Sequence, residues 1–259
     1  FDENPLSVDE IDKIIKDILT ALKCLHEKKY SHNDIKPENI VIVIKGKECI
    51  AKLIDFGIAI QEDREVLGTR FYKSPEINSI RIFSKPGVKT ILNDLWALGL
   101  VYSFILGIGR TYNKMESILL SAMVLKFQLN TKILPLQKKI IETLMGLDEN
   151  ICDDAEYQNT IDALKIATGE SDIRQKYTEF VKKYIELCYD KDGKDGKDGK
   201  DGFAKKIFNR MDILLPTSSS VSASPTSSGG SILKSRKSRK KSRKKKTRKS
   251  KRKKTRKSK

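Results

Sequence analysis

Nearly all the apolar side chains of this chain precede residue 216, and that boundary decides which part of its 259 residues can fold. A core forms by removing apolar surface from water, and 38% hydrophobic content suffices because it is concentrated. Charge is segregated in the same sense. Residues 234–259 hold 19 of the 52 Lys and Arg and none of the 34 Asp and Glu, leaving 33 basic against 34 acidic residues before them. The formal net charge of +18 is thus the property of a tail, while residues 1–233 carry one net negative charge.

Within the foldable part, periodicity sets the elements. Ile11, Ile14, Ile15, Ile18, Leu19, Leu22 and Leu25 recur at helical spacing, which predicts an amphipathic helix over residues 9–28 with Ser7 as its N-cap. The β-branched runs 40–44 and 51–54 flank Lys45-Gly46-Lys47 and predict a small hairpin. Helical patterns follow over 92–108, 115–127 and 134–147, and Ile173, Tyr177, Phe180, Val181, Tyr184, Ile185 and Cys188 mark another helix. The fold class is therefore mostly α with a small β-hairpin region. The longest apolar run, residues 95–108, is shorter than the ~20 residues a spanning helix needs, so it predicts a buried core helix.

The folded region is expected over residues 1–190. Four Lys-Asp-Gly triplets occupy 191–202. Glycine at every third position matches collagen's period, but four proline-free triplets cannot sustain a triple helix. Asp190 and Asp192 start like a calcium loop, yet Lys194 fills a ligand position and no Glu closes it. A flexible charged linker is the expectation. Phe203, Ile207, Phe208, Met211 and Leu215 predict a short amphipathic helix over 203–215, and 216–233 reads as a Ser/Pro/Gly-rich linker. The tail 234–259 has nothing apolar to bury and is expected to be disordered.

The chemistry lies in two short motifs, His32-Asn33-Asp34-Ile35-Lys36-Pro37-Glu38-Asn39 and Asp55-Phe56-Gly57. They resemble the H-R-D-x-K-x-x-N catalytic loop and the metal-binding D-F-G of eukaryotic-type serine/threonine protein kinases. Gly68-Thr69-Arg70-Phe71-Tyr72-Lys73-Ser74-Pro75-Glu76 resembles that family's G-T-x-x-Y-x-[SA]-P-E segment, and Asp94-Leu95-Trp96-Ala97-Leu98-Gly99 its D-x-W-x-x-G helix start. The resemblance covers the C-terminal lobe of the catalytic domain and implies a protein-kinase-like C-lobe fold. It implies transfer of the ATP γ-phosphate to Ser or Thr hydroxyls of a protein substrate, with ATP and Mg²⁺ as cofactors. By the same resemblance Asp34 would orient the hydroxyl, Lys36 would stabilise the γ-phosphate, and Asn39 and Asp55 would ligate the metal. Val41 would lie under the adenine, Thr69 would bond near Asp34 and Lys36, and Asp94 would tie down the catalytic-loop backbone. His32 and Phe56 would be packing residues. Lys36 two residues after Asp34, with Thr69 ahead of Ser74-Pro75-Glu76, is the serine/threonine pattern.

Departures from the pattern carry their own expectations. Asn33 stands where the family has an Arg that pairs with a phosphate on the activation loop, and an amide cannot form that charge-assisted pair. Residues 58–67 contain no Ser, Thr or Tyr, so activity should not be switched by phosphorylation there. Glu76 lacks an evident Arg partner, for which Arg174 is a candidate. No Gly-rich loop, strand Lys or helix Glu precedes the catalytic loop, and the chain opens on Phe1, so an incomplete or processed enzyme lacking its N-terminal lobe is expected.

The alternative reading is a non-catalytic kinase-like scaffold, anchored by a basic tail that binds nucleic acid or an acidic partner. A third makes nucleic-acid binding the main function, and only the tail supports it. The tail has no aromatic residue, so such binding would be phosphate-directed and sequence-blind; a nuclear-import role fits equally. Cys24, Cys49, Cys152 and Cys188 form no CxxC pair, so reduced thiols without zinc are expected. The location implied is intracellular, cytoplasmic or nuclear.

Overall fold

The computed structural model describes residues 6–45, 48–61, 68–78, 91–107, 134–188 and 200–216, which fall within one unit, Phe1–Ser220. The expected helix at 115–127, the first three Lys-Asp-Gly triplets, the Ser/Pro/Gly-rich segment beyond residue 216 and the basic tail lie outside those residues.

Helix α1, Val8–Glu27, starts at a reciprocal cap: Ser7 Oγ accepts from Glu10 N at 3.3 Å and Ser7 N donates to Glu10 Oε2 at 2.8 Å. Two backbone donors that a helix start leaves unpaired are thereby satisfied. Ile11, Ile14, Ile15, Ile18, Leu19 and Leu22 form its buried face. The helix ends where Lys29 takes a φ of 63°. Strand β1, Tyr30–Ser31, follows, and a 3₁₀ turn, Pro37–Asn39, leads into β2, Ile40–Lys45. β2 pairs antiparallel with β3, Glu48–Leu53, in the register Ile40↔Leu53 through Lys45↔Glu48. α1 clamps β3 from behind, with Asp17 Oδ2 accepting from Ala51 N at 3.0 Å. A second pair joins β1 to β4, Ile60–Gln61, by Tyr30↔Gln61 and Ser31↔Ile60.

The rest of the described chain is helical: α2, Pro75–Asn78; α3, Ile91–Ile105; α4, Pro135–Leu144; α5, Ala155–Ile166; α6, Gly169–Cys188; and α7, Lys200–Leu214. α3 is the apolar run anticipated as a core helix, and it is buried from Ile91 through Ser103, including Trp96 and Tyr102. It packs against α1, α4 and α7. Each of its large apolar side chains contributes roughly 1.5–3 kcal/mol by leaving water. Among the described residues no helix is long and apolar enough to cross a membrane. Helix α5 is an element the sequence reading passed over, and α7 begins at Lys200, three residues before its apolar pattern.

Candidate active site

The site is built on loops that these elements hold by their ends. Asp94, in the first turn of α3, has a fully buried carboxylate. Its Oδ2 accepts from His32 N and its Oδ1 from Asn33 N, both at 2.8 Å. His26 Nε2, on the last turn of α1, lies 2.9 Å from the same Oδ2. A buried charge is tolerated only with such partners, so the loop and the helix fix each other. His32 is also buried, with Nε2 3.0 Å from Ile54 O and its ring edge-on to Phe56 at 4.9 Å.

One residue further, Asp34 gathers four groups. Thr69 donates to Oδ1 twice, from its backbone N at 2.9 Å and its hydroxyl at 2.6 Å. Lys36 Nζ lies 2.6 Å from Oδ2, and Asn39 Nδ2 donates to Oδ2 at 3.0 Å and to Asp34 O at 2.8 Å. Lys36 Nζ also donates to Thr69 Oγ1 at 3.2 Å. Burial opposes ionisation of Asp34, but the Lys36 ammonium and the Thr69 donors outweigh it and hold the carboxyl below its ordinary range. Asp34, with Glu38 and Asp55 adding to it, in turn holds Lys36 above the usual ammonium range against a smaller opposing effect of burial. Glu38 is also among the causes, after burial, that push the Tyr72 phenol up to about 12.

The structure thus brings Asp34, Lys36, Asn39 and Thr69 into one hydrogen-bonded cluster. Asp55 stands beside it, because Ile54 N donates to Asn39 O at 3.0 Å; its side chain is exposed and acts on Lys36 through its charge. Its φ of 62° turns the chain there, and its Oδ1 accepts from Gly57 N at 3.2 Å. Val41 lies on β2 opposite Lys52 and is 40% exposed. Asn39 commits its amide hydrogens to Asp34, so its oxygen remains for a cation. An amide oxygen and a carboxylate fit Mg²⁺, which takes few protein ligands and completes its shell with water and phosphate.

Residues 68–74 are fastened to the loop at Asn33 and Asp34 and to α3 at Asn93. Gly68 has a φ of 111°, and a Cβ there would fall 2.2 Å from Asn33 O, so only glycine allows this approach. Asn33, at a φ of 65°, donates from Nδ2 to Ser31 O and Ile58 O, both at 3.4 Å. Ser74 N and Oγ donate to Asn93 Oδ1 at 2.9 and 3.2 Å, which seats the platform segment on α3. Arg174 pairs with Glu170 at 2.8 Å on α6, the helix α2 packs against, and the Glu76 side chain is outside those described. His26 and Asn93 are site residues that sequence reasoning missed. Their spacing from Asp94 and Ser74 along the chain gives no local signal.

A mostly helical domain with this Asp-Lys-Thr-Asn cluster, flanked by an exposed aspartate at a strand end, has the parts of a phosphate-handling site. Residues 2–191 match the family model for the protein kinase domain, and the chain belongs to that family. It is similar to Serine/threonine-protein kinase cst-1 of Caenorhabditis elegans, 38% identical over 102 residues, 37% of this chain and 19% of that protein. It is also similar to Cyclin-dependent kinase-like 1 of the same organism, at 37% over 113 residues, 41% of this chain and 30% of that protein. Mitogen-activated protein kinase 14 of Xenopus laevis is 33% identical over 109 residues, 41% of this chain and 28% of that protein. The matches span less than a third of each of these relatives.

Proposed function

We propose that the chain carries the catalytic C-lobe of a serine/threonine protein kinase that transfers the γ-phosphate of ATP to protein Ser or Thr hydroxyls. The observation that carries this reading is the Lys36 ammonium set between Asp34 Oδ2 at 2.6 Å and Thr69 Oγ1 at 3.2 Å. That is where a cation would meet the phosphoryl oxygens while the carboxylate meets the attacking hydroxyl. The lowered Asp34 carboxyl is ionised at neutral pH but a weak base. It therefore orients the hydroxyl and takes its proton late, which suits a loose transition state that needs little push from the nucleophile. Asn39 and Asp55 would hold Mg²⁺ and Val41 the adenine; the metal would neutralise charge on the nucleotide phosphates.

The regulation we propose follows from Asn33 and from residues 58–67, which offer no hydroxyl. Activity should survive phosphatase treatment, and loss of activity through removal of a phosphate on that segment would overturn this part. The Gly-rich loop and strand Lys of the family have no counterpart in residues 1–31, so phosphotransfer is to be measured on the chain together with any sequence preceding Phe1 in its gene. Label should pass from γ-labelled ATP to Ser and Thr in a Mg²⁺-dependent manner and fall about 10²–10⁴-fold in Asp34→Ala. Retained transfer in Asp34→Ala would refute the site assignment. Mg²⁺-dependent nucleotide binding without any transfer would favour a scaffold.

A further inference from the structure

Helix α7 lies beyond the residues matched by the family model, yet its Phe208 ring meets His26 at the end of α1 that leads into the catalytic loop. Phe203, Ala204, Ile207 and Met211 are buried, and the helix packs against α3 and α4. Arg210 Nε lies 3.1 Å from the buried Asp148 Oδ2. Asp212 Oδ2 meets Lys23 of α1 at 3.3 Å, and Pro216 O accepts from Lys16 of α1. Residues 208, 212 and 216 thus meet 26, 23 and 16 in turn, an antiparallel seam along α1.

At the end of the seam nearest the catalytic loop, the Phe208 ring stands edge-on to His26, with centroids 5.8 Å apart and planes at 67°. A carboxylate only accepts, so the His26 nitrogen facing Asp94 must carry the proton. Nδ1 is buried and has no hydrogen-bond partner among the described residues. The Phe208 ring packs against the imidazole. The same Asp94 fixes the N–H groups of His32 and Asn33, immediately ahead of Asp34.

We propose that α7 is a positioning element for the catalytic loop, acting through Phe208 on His26 and through His26 on Asp94, so that residues 200–214 belong to the working lobe. The consequence for phosphotransfer rests on the kinase reading above; the consequence for loop order does not. The test is amide hydrogen exchange on the full chain, followed in a peptide spanning 30–36, together with steady-state phosphotransfer.

In Phe208→Ala and His26→Leu, exchange at 30–36 should rise roughly tenfold while peptides of α5 and α6 keep wild-type protection. The kcat should fall by about tenfold with KM for ATP within about twofold, because the loop misplaces Asp34 without touching the nucleotide. His26→Gln, whose amide nitrogen can still donate to Asp94, should restore most of the protection. Should Phe208→Ala fail to fold, the His26→Leu and His26→Gln pair decides the question. Unchanged exchange at 30–36, a rise spread equally over α5 and α6, or a His26→Gln no better than His26→Leu would overturn the proposal. A wild-type protein that, together with any sequence preceding Phe1, shows no phosphotransfer would instead overturn the kinase reading, and the exchange result would still stand.

Discussion

Asp34 and Gly68 show how single residues set the chemistry. Thr69 gives Asp34 two of its four donors, and a hydrogen bond to a charged group is worth about 1.5–3 kcal/mol, so Thr69→Val should slow phosphotransfer by about 10- to 100-fold. Removing the hydroxyl also removes one of the causes that hold the carboxyl low, so the acid limb of the pH–rate profile should move to higher pH in this variant. An acid limb that stays in place would mean that Asp34 is not the group titrating. Gly68 tests the geometry instead of the charge. Its φ of 111° and the 2.2 Å approach to Asn33 O leave no room for a methyl group, so Gly68→Ala must lift the segment off the loop or strain it. The cost is about 1–3 kcal/mol of local order, expected as faster proteolysis between β4 and α2 and lower activity, with thermal unfolding of the rest little changed. Wild-type proteolysis rates would contradict it.

At the level of elements, Asp148 ties together α4, α7 and the turn that follows α4. Its buried carboxylate takes Lys139 of α4 at 2.9 Å, Arg210 of α7 at 3.1 Å, Thr143 Oγ1 at 2.9 Å, and Asn150 through its backbone N at 2.9 Å and Nδ2 at 2.7 Å. Burial opposes its ionisation, but these donors prevail and hold its carboxyl well below the ordinary 3.8. A depressed carboxylate contributes stability that is complete above the unfolded value and drains away as pH falls toward the folded one. Asp148→Asn should therefore lose about 1.5–3 kcal/mol at pH 7, since it removes the charged partner of the half-buried Lys139 and Arg210. Its stability should also fall less steeply than the wild type's below pH ~4 in denaturant titrations. Parallel acid limbs in the two proteins would refute the assignment. Helices α1 and α6 were legible because one-sided burial imposes a repeat, α3 because burial all round gives an apolar run, and the cluster at Asp34 because its members sit within a few residues or a recognisable segment. Helix α5 escaped although Tyr157, Ile161 and Leu164 are buried at helical spacing behind an Asp154 cap, since three buried positions in twelve residues are a thin stripe. β1 and β4, at two residues each, are too short for any period, and the His26 contact spans 68 positions with nothing local to announce it.

For the whole molecule, the opposition between a body of near-neutral charge and a tail with 19 cations divides stability from association. Residues 234–259 consist of Lys, Arg, Ser and Thr alone, so deleting them takes no apolar side chain from the protein. Thermal unfolding of the body should shift by no more than about 0.5 kcal/mol. Association with polyanions should change far more. Each Lys or Arg that neutralises a phosphate releases a counterion, so the full chain should bind duplex DNA of any sequence with a log–log salt slope of about −0.9 per phosphate engaged. Engaging even a third of the tail's cations would give a slope near −5 or steeper, and the deletion should bring retention on immobilised DNA down to that of a neutral protein. Phosphates placed on the Ser and Thr residues between the cations would each remove about 1.5 to 2 charges and flatten the slope in proportion. Retention that survives the deletion, or that depends on base sequence, would move the binding surface from the tail to the body.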